Sequence, residues 1–132
     1  MKYITLVAFA NFLLYAGSGI VLLALFTKLY QKWTPYDEFA QMKAGKKAPA
    51  FAMGGAMLGF TFPIVSLSYN GVNWMDFFIW AVAAGVVQLI LFKVLYRVIP
   101  MDIDEDNQAI GIFYAFAAIC VGLINAFSLI PS

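Results

Sequence analysis

Charged residues are absent from four long stretches of this chain, and apolar residues dominate each of them. The stretches cover residues 3–27, 48–75, 77–92 and 107–132. An α-helix needs roughly 20 apolar residues to cross the hydrocarbon core of a bilayer. The third stretch is shorter, but the stem of Lys93 can extend and place its ammonium group at the membrane surface. The pattern therefore predicts four transmembrane helices.

We expect an all-α membrane protein whose helices span about 4–28, 49–69, 75–97 and 108–130, with no soluble domain outside them. Composition agrees, because 64% of the 132 residues are hydrophobic and 11% are charged, against about 25% charged residues in a soluble domain. A cleaved signal peptide is the alternative for the first stretch. The apolar core of a signal peptide is normally only ~7–15 residues long. The stretch at residues 3–27 is longer, which favours a membrane span.

Basic residues concentrate at one end of the predicted bundle. Lysine and arginine are enriched in cytoplasmic loops, so this end is expected to face the cytoplasm. Only Lys2 lies at the opposite end. Both termini are therefore expected outside the cytoplasm. The basic residues at the inner end are Lys28, Lys32, Lys43, Lys46, Lys47, Lys93 and Arg97.

Two hexamers of the chain are nearly identical, LFTKLY at 25–30 and LFKVLY at 91–96, and a proline and acidic residues follow each of them. We interpret the chain as two helix–loop–helix repeats, residues 1–71 and 72–132. Each repeat has an even number of spans, so the two copies would be parallel. Chance similarity between leucine-rich helices is the alternative.

A short amphipathic helix is predicted at about 35–44, on the inner membrane surface. Thr34 is suited to cap it and Pro35 to occupy its first position. Gly45 is suited to end it in a left-handed conformation. Glu38 is expected on its polar face, away from the apolar side chains.

Lys43, Lys46 and Lys47 would follow this helix at the height of the lipid headgroups, where anionic lipid attracts lysine. A docking platform for another protein is the alternative. The loop at 28–47 has five lysines and two acidic residues, net +3, whereas residues 93–107 have two basic and four acidic residues, net −2. The two loops either pair, within or between subunits, or are solvated independently.

Polar residues inside the predicted spans are candidates for function, because they are costly in hydrocarbon. Pro63 frees the carbonyl of Gly59, and Asn11 or Asn125 from a neighbouring helix could satisfy it. Gln88 lies near the middle of its span. It would either form a hydrogen bond across an oligomer axis or line a narrow pore.

Small residues form two faces that let helices approach closely. Gly55 and Gly59 make a GxxxG pattern in the second span, and Ala118, Gly122 and Ala126 recur every fourth residue in the fourth. We expect these two spans to pack together through these faces. A contact between subunits is the alternative for one of the faces.

Catalytic chemistry has no candidate residues in this sequence. The chain has no histidine and one cysteine, Cys120, for which we expect a buried structural role. We find no metal-ligand cluster, nucleophile–base pair or phosphate-binding loop, so we expect no enzyme activity, metal or cofactor. Nucleic-acid binding is not expected either, because the few basic residues would face the membrane surface.

Two parts of the chain resemble the YjfL-like bacterial inner-membrane family, domain of unknown function 350. WTPYDEF, with the later KKAPAFAMGGAMLGFTFPIVS, is similar to the family's first unit, although KKAP replaces an asparagine-rich run. The second unit is similar to its HNTAAG and GGIFNAA motifs. The matching positions are Thr34, Pro35, Glu38, Phe39, Leu58, Gly59 and Pro63, then Asn107, Ala109, Gly111, Gly122, Ile124, Asn125 and Ala126.

This resemblance implies a small multi-pass protein of the bacterial inner membrane, and an association with cytoplasmic envelope-stress proteins of the PspA-like kind. We expect a non-enzymatic homo-oligomer that serves as a scaffold or anchor in envelope maintenance. Its partners would be anionic lipid headgroups and proteins that dock on the inner loops. The alternative is a small ion or solute channel, in which an oligomer turns the intramembrane polar residues into rings.

Overall fold

The computed structural model describes residues 2–102 and 104–128, and within them the chain forms five α-helices. Four of these helices are long and apolar enough to cross a membrane. The predicted all-α fold with four spans is therefore confirmed. The helices are α1 (Lys2–Trp33), α2 (Glu38–Lys43), α3 (Ala48–Tyr69), α4 (Trp74–Val98) and α5 (Gln108–Ser128).

Helix boundaries follow the chemistry of the residues beside them. The sequence pattern predicts that the first span ends near residue 28, but α1 continues to Trp33. Lysine is a good helix former, and the first residue that disfavours helix is Thr34, which precedes Pro35. The predicted end of the fourth span, at about 130, lies outside the described residues.

The α3–α5 pair forms the most extensive helix contact among the described elements. Ala115 lies against Gly55, and the backbones of Gly59 and Gly122 touch directly. Nearer the end of both helices, the Ser66 hydroxyl donates to the carbonyl of Ala126 over 2.7 Å. These contacts advance in the same direction along both helices, so α3 and α5 are parallel, as expected for helices that both run from the α2 side of the bundle.

The second half of α1 packs on α3 and α4, whereas its first half is exposed. The Phe26 ring stacks on the Phe60 ring of α3 at 4.6 Å between centroids. Tyr15 donates from its hydroxyl to the carbonyl of Val72 over 2.8 Å, which fixes the middle of α1 to the α3–α4 link. Between residues 5 and 14 the side chains are exposed, and Leu6 and Phe12 are 67% and 64% exposed.

The predicted start of α2 at Thr34 and Pro35 is wrong. The Thr34 amide is bound to the carbonyl of Tyr30, so Thr34 completes the last turn of α1. Asp37 caps α2 instead, since its extended backbone lets its carboxylate accept from the amides of Phe39 and Ala40.

The end of α2 is as the sequence predicts. Gly45 adopts the left-handed conformation, with a φ of +85°. The Lys46 amide donates to the carbonyl of Gln41 over 2.9 Å, and the Gly45 amide donates to the carbonyl of Met42 over 3.0 Å. This pair of bonds is a Schellman motif, which a glycine at this position makes easy to form.

The expectation of a buried Cys120 is wrong, because its side chain is exposed. Ala118 and Gly122 face α3. Cys120 stands two residues from each of them, a rotation of about 200° around the helix. Its thiol therefore lies on the opposite side of α5, away from the protein interior.

Candidate functional site

We refer to one end of the bundle as the α2 end. It consists of α2, the links at 34–37 and 44–47 that flank it, and the α4–α5 link at 99–107. Most charged side chains of the chain are found there. A surface that recognises another molecule by charge would therefore lie at this end.

Asp106 joins the two links of the α2 end. Its Oδ1 accepts from the amides of Lys47 over 2.8 Å and Ala48 over 2.7 Å, and so caps the first turn of α3 from a distant part of the chain. Asp106 itself has a φ of +47°, a conformation that aspartate tolerates better than most residues. The Lys46 ammonium also donates to the carbonyl of Asp104 over 3.4 Å. Of the alternatives above, the structure has the loops paired within one protomer.

Two of the three predicted lysines, Lys46 and Lys47, consequently lie beside the acidic link. Lys43 and Lys47 are exposed and Lys46 is half-buried. Asp104 and Glu105 are exposed on the adjacent turn. The result is a surface of mixed charge, held in place by hydrogen bonds to backbone atoms.

Glu38 is fully buried, and its predicted place on the polar face of α2 is therefore wrong. Neither carboxylate oxygen has a hydrogen-bond partner of good geometry among the described residues. Burial raises the pKa of Glu38 to about 7, and the nearby Thr34 hydroxyl and the Glu38 amide oppose that shift. Glu38 is the first residue of a six-residue helix, and that helix lies with its first turn against the bundle.

Two tyrosines, Tyr30 and Tyr36, lie near this carboxyl group, and a third, Tyr114, lies near those two. The Tyr36 hydroxyl contacts the sulfur of Met101 over 3.5 Å, and burial raises the pKa of Tyr36, which keeps its hydroxyl protonated. Tyr30 lies within electrostatic range of Glu38. Tyr114 donates to the carbonyl of Ile99, and so ties α5 to the end of α4. A buried polar layer thus lies directly behind the charged surface.

Gln88 lies deeper in the bundle and is 1% exposed. Its Nε2 donates to the carbonyl of Ala118 over 2.9 Å, whereas its Oε1 has no partner among the described residues. Beside it is a cavity of about 10 Å³ that Tyr30 and Tyr114 also line, about the space for one water molecule. Gln88 therefore connects α4 to α5 of the same chain.

Neither asparagine makes the predicted hydrogen bond to Gly59. Asn125 is half-buried and its Nδ2 has no partner among the described residues. Asn11 is exposed on the first half of α1. The Gly59 carbonyl, freed by Pro63, instead lies against the backbone of Gly122.

The small residues of the two predicted packing faces lie together in the structure. Gly55 and Gly59 meet α5, and Ala118, Gly122 and Ala126 meet α3 or lie buried next to it. The contact is within one protomer.

Two features of the site escape reasoning from the sequence. The cap that Asp106 provides has no local signal, because its partner amide at Ala48 lies 58 residues earlier in the chain. The burial of Glu38 has a weak signal, since Thr34, Pro35 and Glu38 belong to the motif that carries the family resemblance. The charge of Glu38, taken by itself, predicts exposure to solvent.

Comparisons with known proteins agree with that resemblance. The family described as Domain of Unknown Function (DUF350) matches residues 3–129. The UPF0719 inner membrane protein YjfL of Escherichia coli (strain K12) is 32% identical over 111 residues, which cover 82% of this chain and 84% of the relative. The UPF0719 transmembrane protein YshE of Bacillus subtilis (strain 168) is 25% identical over 118 residues, covering 83% and 84%. No solved structure matches.

Proposed function

This chain belongs to the DUF350 family and is an integral membrane protein, and we propose that it is a non-enzymatic scaffold that docks a cytoplasmic protein at the bacterial inner membrane. The observation that carries the proposal is the pair of hydrogen bonds that the amides of Lys47 and Ala48 donate to the Asp106 carboxylate. These bonds make one preformed surface out of two links that are distant in sequence.

A preformed surface suits docking, because little conformational entropy is lost when the partner binds. Lys43 and Lys47 are exposed at this end, as are Asp104 and Glu105. A partner with complementary charges of both signs would be steered and oriented there. Envelope-stress proteins of the PspA-like kind, which the family resemblance suggests, are the partners to test first.

We further propose the inner membrane as the location, with the α2 end in the cytoplasm and both termini outside. The Escherichia coli relative is named as an inner membrane protein. The distribution of lysine and arginine supports the orientation, since seven of the eight lie at or near the α2 end.

Assembly of several copies is part of the same proposal. Asn11 is exposed on α1 at a depth where lipid tails would otherwise surround its amide. An amide in hydrocarbon is costly without a partner, and a second copy can provide one. Two exposed α1 helices packed together would satisfy both amides in a symmetric dimer.

Charge reversal tests the docking proposal. The triple variant Lys43→Glu, Lys46→Glu, Lys47→Glu should lose most of its recruitment of the envelope-stress protein to membranes, measured by co-sedimentation of purified partner with proteoliposomes. The variant Lys28→Glu, Lys32→Glu is the matched control, because it changes charge at the same end but outside the paired links. Unchanged recruitment by the triple variant would contradict the proposal.

A channel is the less supported function. Among the three polar residues that could form rings, Asn11, Gln88 and Asn125, Gln88 lies nearest the middle of its span, and it is buried inside its own protomer. A single-file path also needs a continuous polar lining, and the cavity beside Gln88 has room for about one water.

A further inference from the structure

A polar groove opens on α1 and the α1–α2 link, on a different part of the α2 end from the lysines predicted to contact lipid. Its volume is about 490 Å³. Lys28, Gln31 and Lys32 form one wall, since their spacing puts them on the same face of the last turns of α1. The other wall is the link from Thr34 to Asp37.

The α1 wall of this groove is composed of hydrogen-bond donors. Lys28 and Lys32 are exposed and carry ammonium groups that can only donate. The Nε2 of Gln31 is also a donor, and it has no partner among the described residues. Gln31 lines the groove, and its Nε2 is buried in the structure, so a bound acceptor oxygen would draw this donor into the groove by a rotation of the terminal amide. A ligand rich in acceptor oxygens would satisfy all three side chains.

Charge distinguishes this groove from the surface around Lys46 and Lys47. Those lysines lie beside the acidic α4–α5 link, which offsets their attraction for an anion. The acidic residue that lines the groove is Asp37, and its carboxylate is already bound to the amides of Phe39 and Ala40. The net positive potential at the α2 end is therefore expected at the groove.

The depth of the groove matches the lipid headgroups. Trp33, in the last turn of α1, donates from its indole nitrogen to the carbonyl of Leu89 over 2.8 Å. The Lys93 ammonium lies 5.0 Å from the centre of its ring. Tryptophan and lysine together mark the boundary between hydrocarbon and water in membrane proteins. Lys28 and Lys32 lie on the adjacent turns of the same helix.

We propose that Lys28, Gln31 and Lys32 bind the phosphate of an anionic phospholipid headgroup in this groove. The lipid tails would then lie along the exposed apolar surface of α1, which includes Val21 and Leu25. This site is separate from the docking surface, and it does not rest on the docking proposal.

Native mass spectrometry of the full chain in detergent tests the site, with equal amounts of phosphatidylglycerol and phosphatidylcholine. Wild-type protein should retain phosphatidylglycerol preferentially. The variant Lys28→Gln, Lys32→Gln should reduce that preference by about 30-fold, the change that two contacts of about 1 kcal/mol each produce. The variant Arg97→Gln is the control, because it removes an exposed positive charge at the same end of the bundle but outside the groove, and it should keep the preference.

A second variant tests the site independently, in case the first does not fold. Gln31→Glu leaves both lysines in place but adds a negative charge to the groove, so it should also abolish the preference while phosphatidylcholine binding persists. An unchanged preference in both groove variants, or an equal loss in the control, would overturn the proposal. Displacement of the lipid by millimolar glycerol phosphate would overturn the lipid assignment in favour of a soluble phosphate ester.

Discussion

Helices α1 and α3 are both apolar and long enough to cross a membrane, yet the fold treats them very differently. In the 18-residue apolar stretch that would cross the membrane, half of the residues of α3 are buried in the protein. In the corresponding stretch of α1, 6% are buried. The difference lies in the small residues. Gly55 and Gly59 of α3 touch the backbone of α5, whereas a Cβ added at Gly17 of α1 would meet no neighbouring atom within 4 Å.

Apolar character and packing are therefore separate properties of a membrane helix. Apolar side chains place a helix in the bilayer, where lipid tails are as apolar as leucine. Close approach of two backbones then decides which helices pack. The first half of α1 lacks such an approach, and it is the part of the chain most available for a neighbouring subunit or for lipid.

The largest effect is expected from a methyl group in the α3–α5 contact. At Gly55 the added Cβ would lie 2.6 Å from the Cβ of Ala115, so the two helices must separate. Gly55→Ala should lower the free energy of unfolding by about 1–3 kcal/mol. Thermal unfolding in detergent measures this, with Gly54→Ala as control.

Gly54 is the adjacent residue of the same helix, and a Cβ added there would meet no neighbouring atom within 4 Å. Gly54→Ala should therefore leave stability unchanged or raise it slightly, since alanine favours helix over glycine. Equal effects of the two substitutions would show that the contact between backbones does not stabilise the fold.

The next largest effect on stability is expected at Glu38, an ionisable residue that is buried against the bundle. The pKa of Glu38 is raised in the folded protein, from an ordinary 4.5 to about 7. The folded state therefore binds the proton more tightly than the unfolded state. This stabilisation is fully present below about pH 4.5 and is lost as the pH rises through about 7.

The free energy of unfolding should therefore decrease between pH 5 and pH 8. The decrease should be at most about 3 kcal/mol, since each pKa unit corresponds to roughly 1.4 kcal/mol. Glu38→Gln should remove this part of the pH dependence, because the amide does not titrate. Glu105→Gln, at an exposed position of the same end, should keep it. A pH profile that is the same in Glu38→Gln and wild type would refute the buried, protonated carboxyl.

A smaller effect on stability is expected at Gln88, which joins α4 to α5 by a hydrogen bond. Gln88→Leu removes the bond to the carbonyl of Ala118, and such bonds contribute only about 0.6 kcal/mol in membranes. Stability should fall by about that amount, and the number of subunits should stay the same. A change in subunit number, measured by native mass spectrometry, would instead place Gln88 at a subunit contact.

The smallest effect on the protomer is expected at Asn11, on the exposed half of α1. Asn11→Leu should leave unfolding of the protomer unchanged, because the residue is exposed on its own chain. It should weaken self-association in detergent, measured by analytical ultracentrifugation. If self-association is unchanged, Asn11 does not contribute to a contact between copies.

Several features were predictable from the sequence because each depends on neighbouring residues alone. The lengths of the apolar stretches determine the four spans. Gly45 ends α2 because only its backbone needs to adopt a left-handed conformation. The spacing of Gly55 and Gly59 marks a face for close packing, although spacing alone leaves open whether the partner is another helix of the chain or a second subunit.

Other features depended on residues far apart in sequence, and only the tertiary structure decided them. The Asp106 carboxylate caps α3 because the α4–α5 link lies beside the start of that helix. Glu38 is buried because α2 packs on α3, which its own charge argues against. Gln88 points into its own protomer because Gly59 leaves room for its amide and the Ala118 carbonyl accepts a hydrogen bond from it. The charge or apolarity of a residue determines whether it favours water. Packing between distant segments determines whether that residue is exposed or buried.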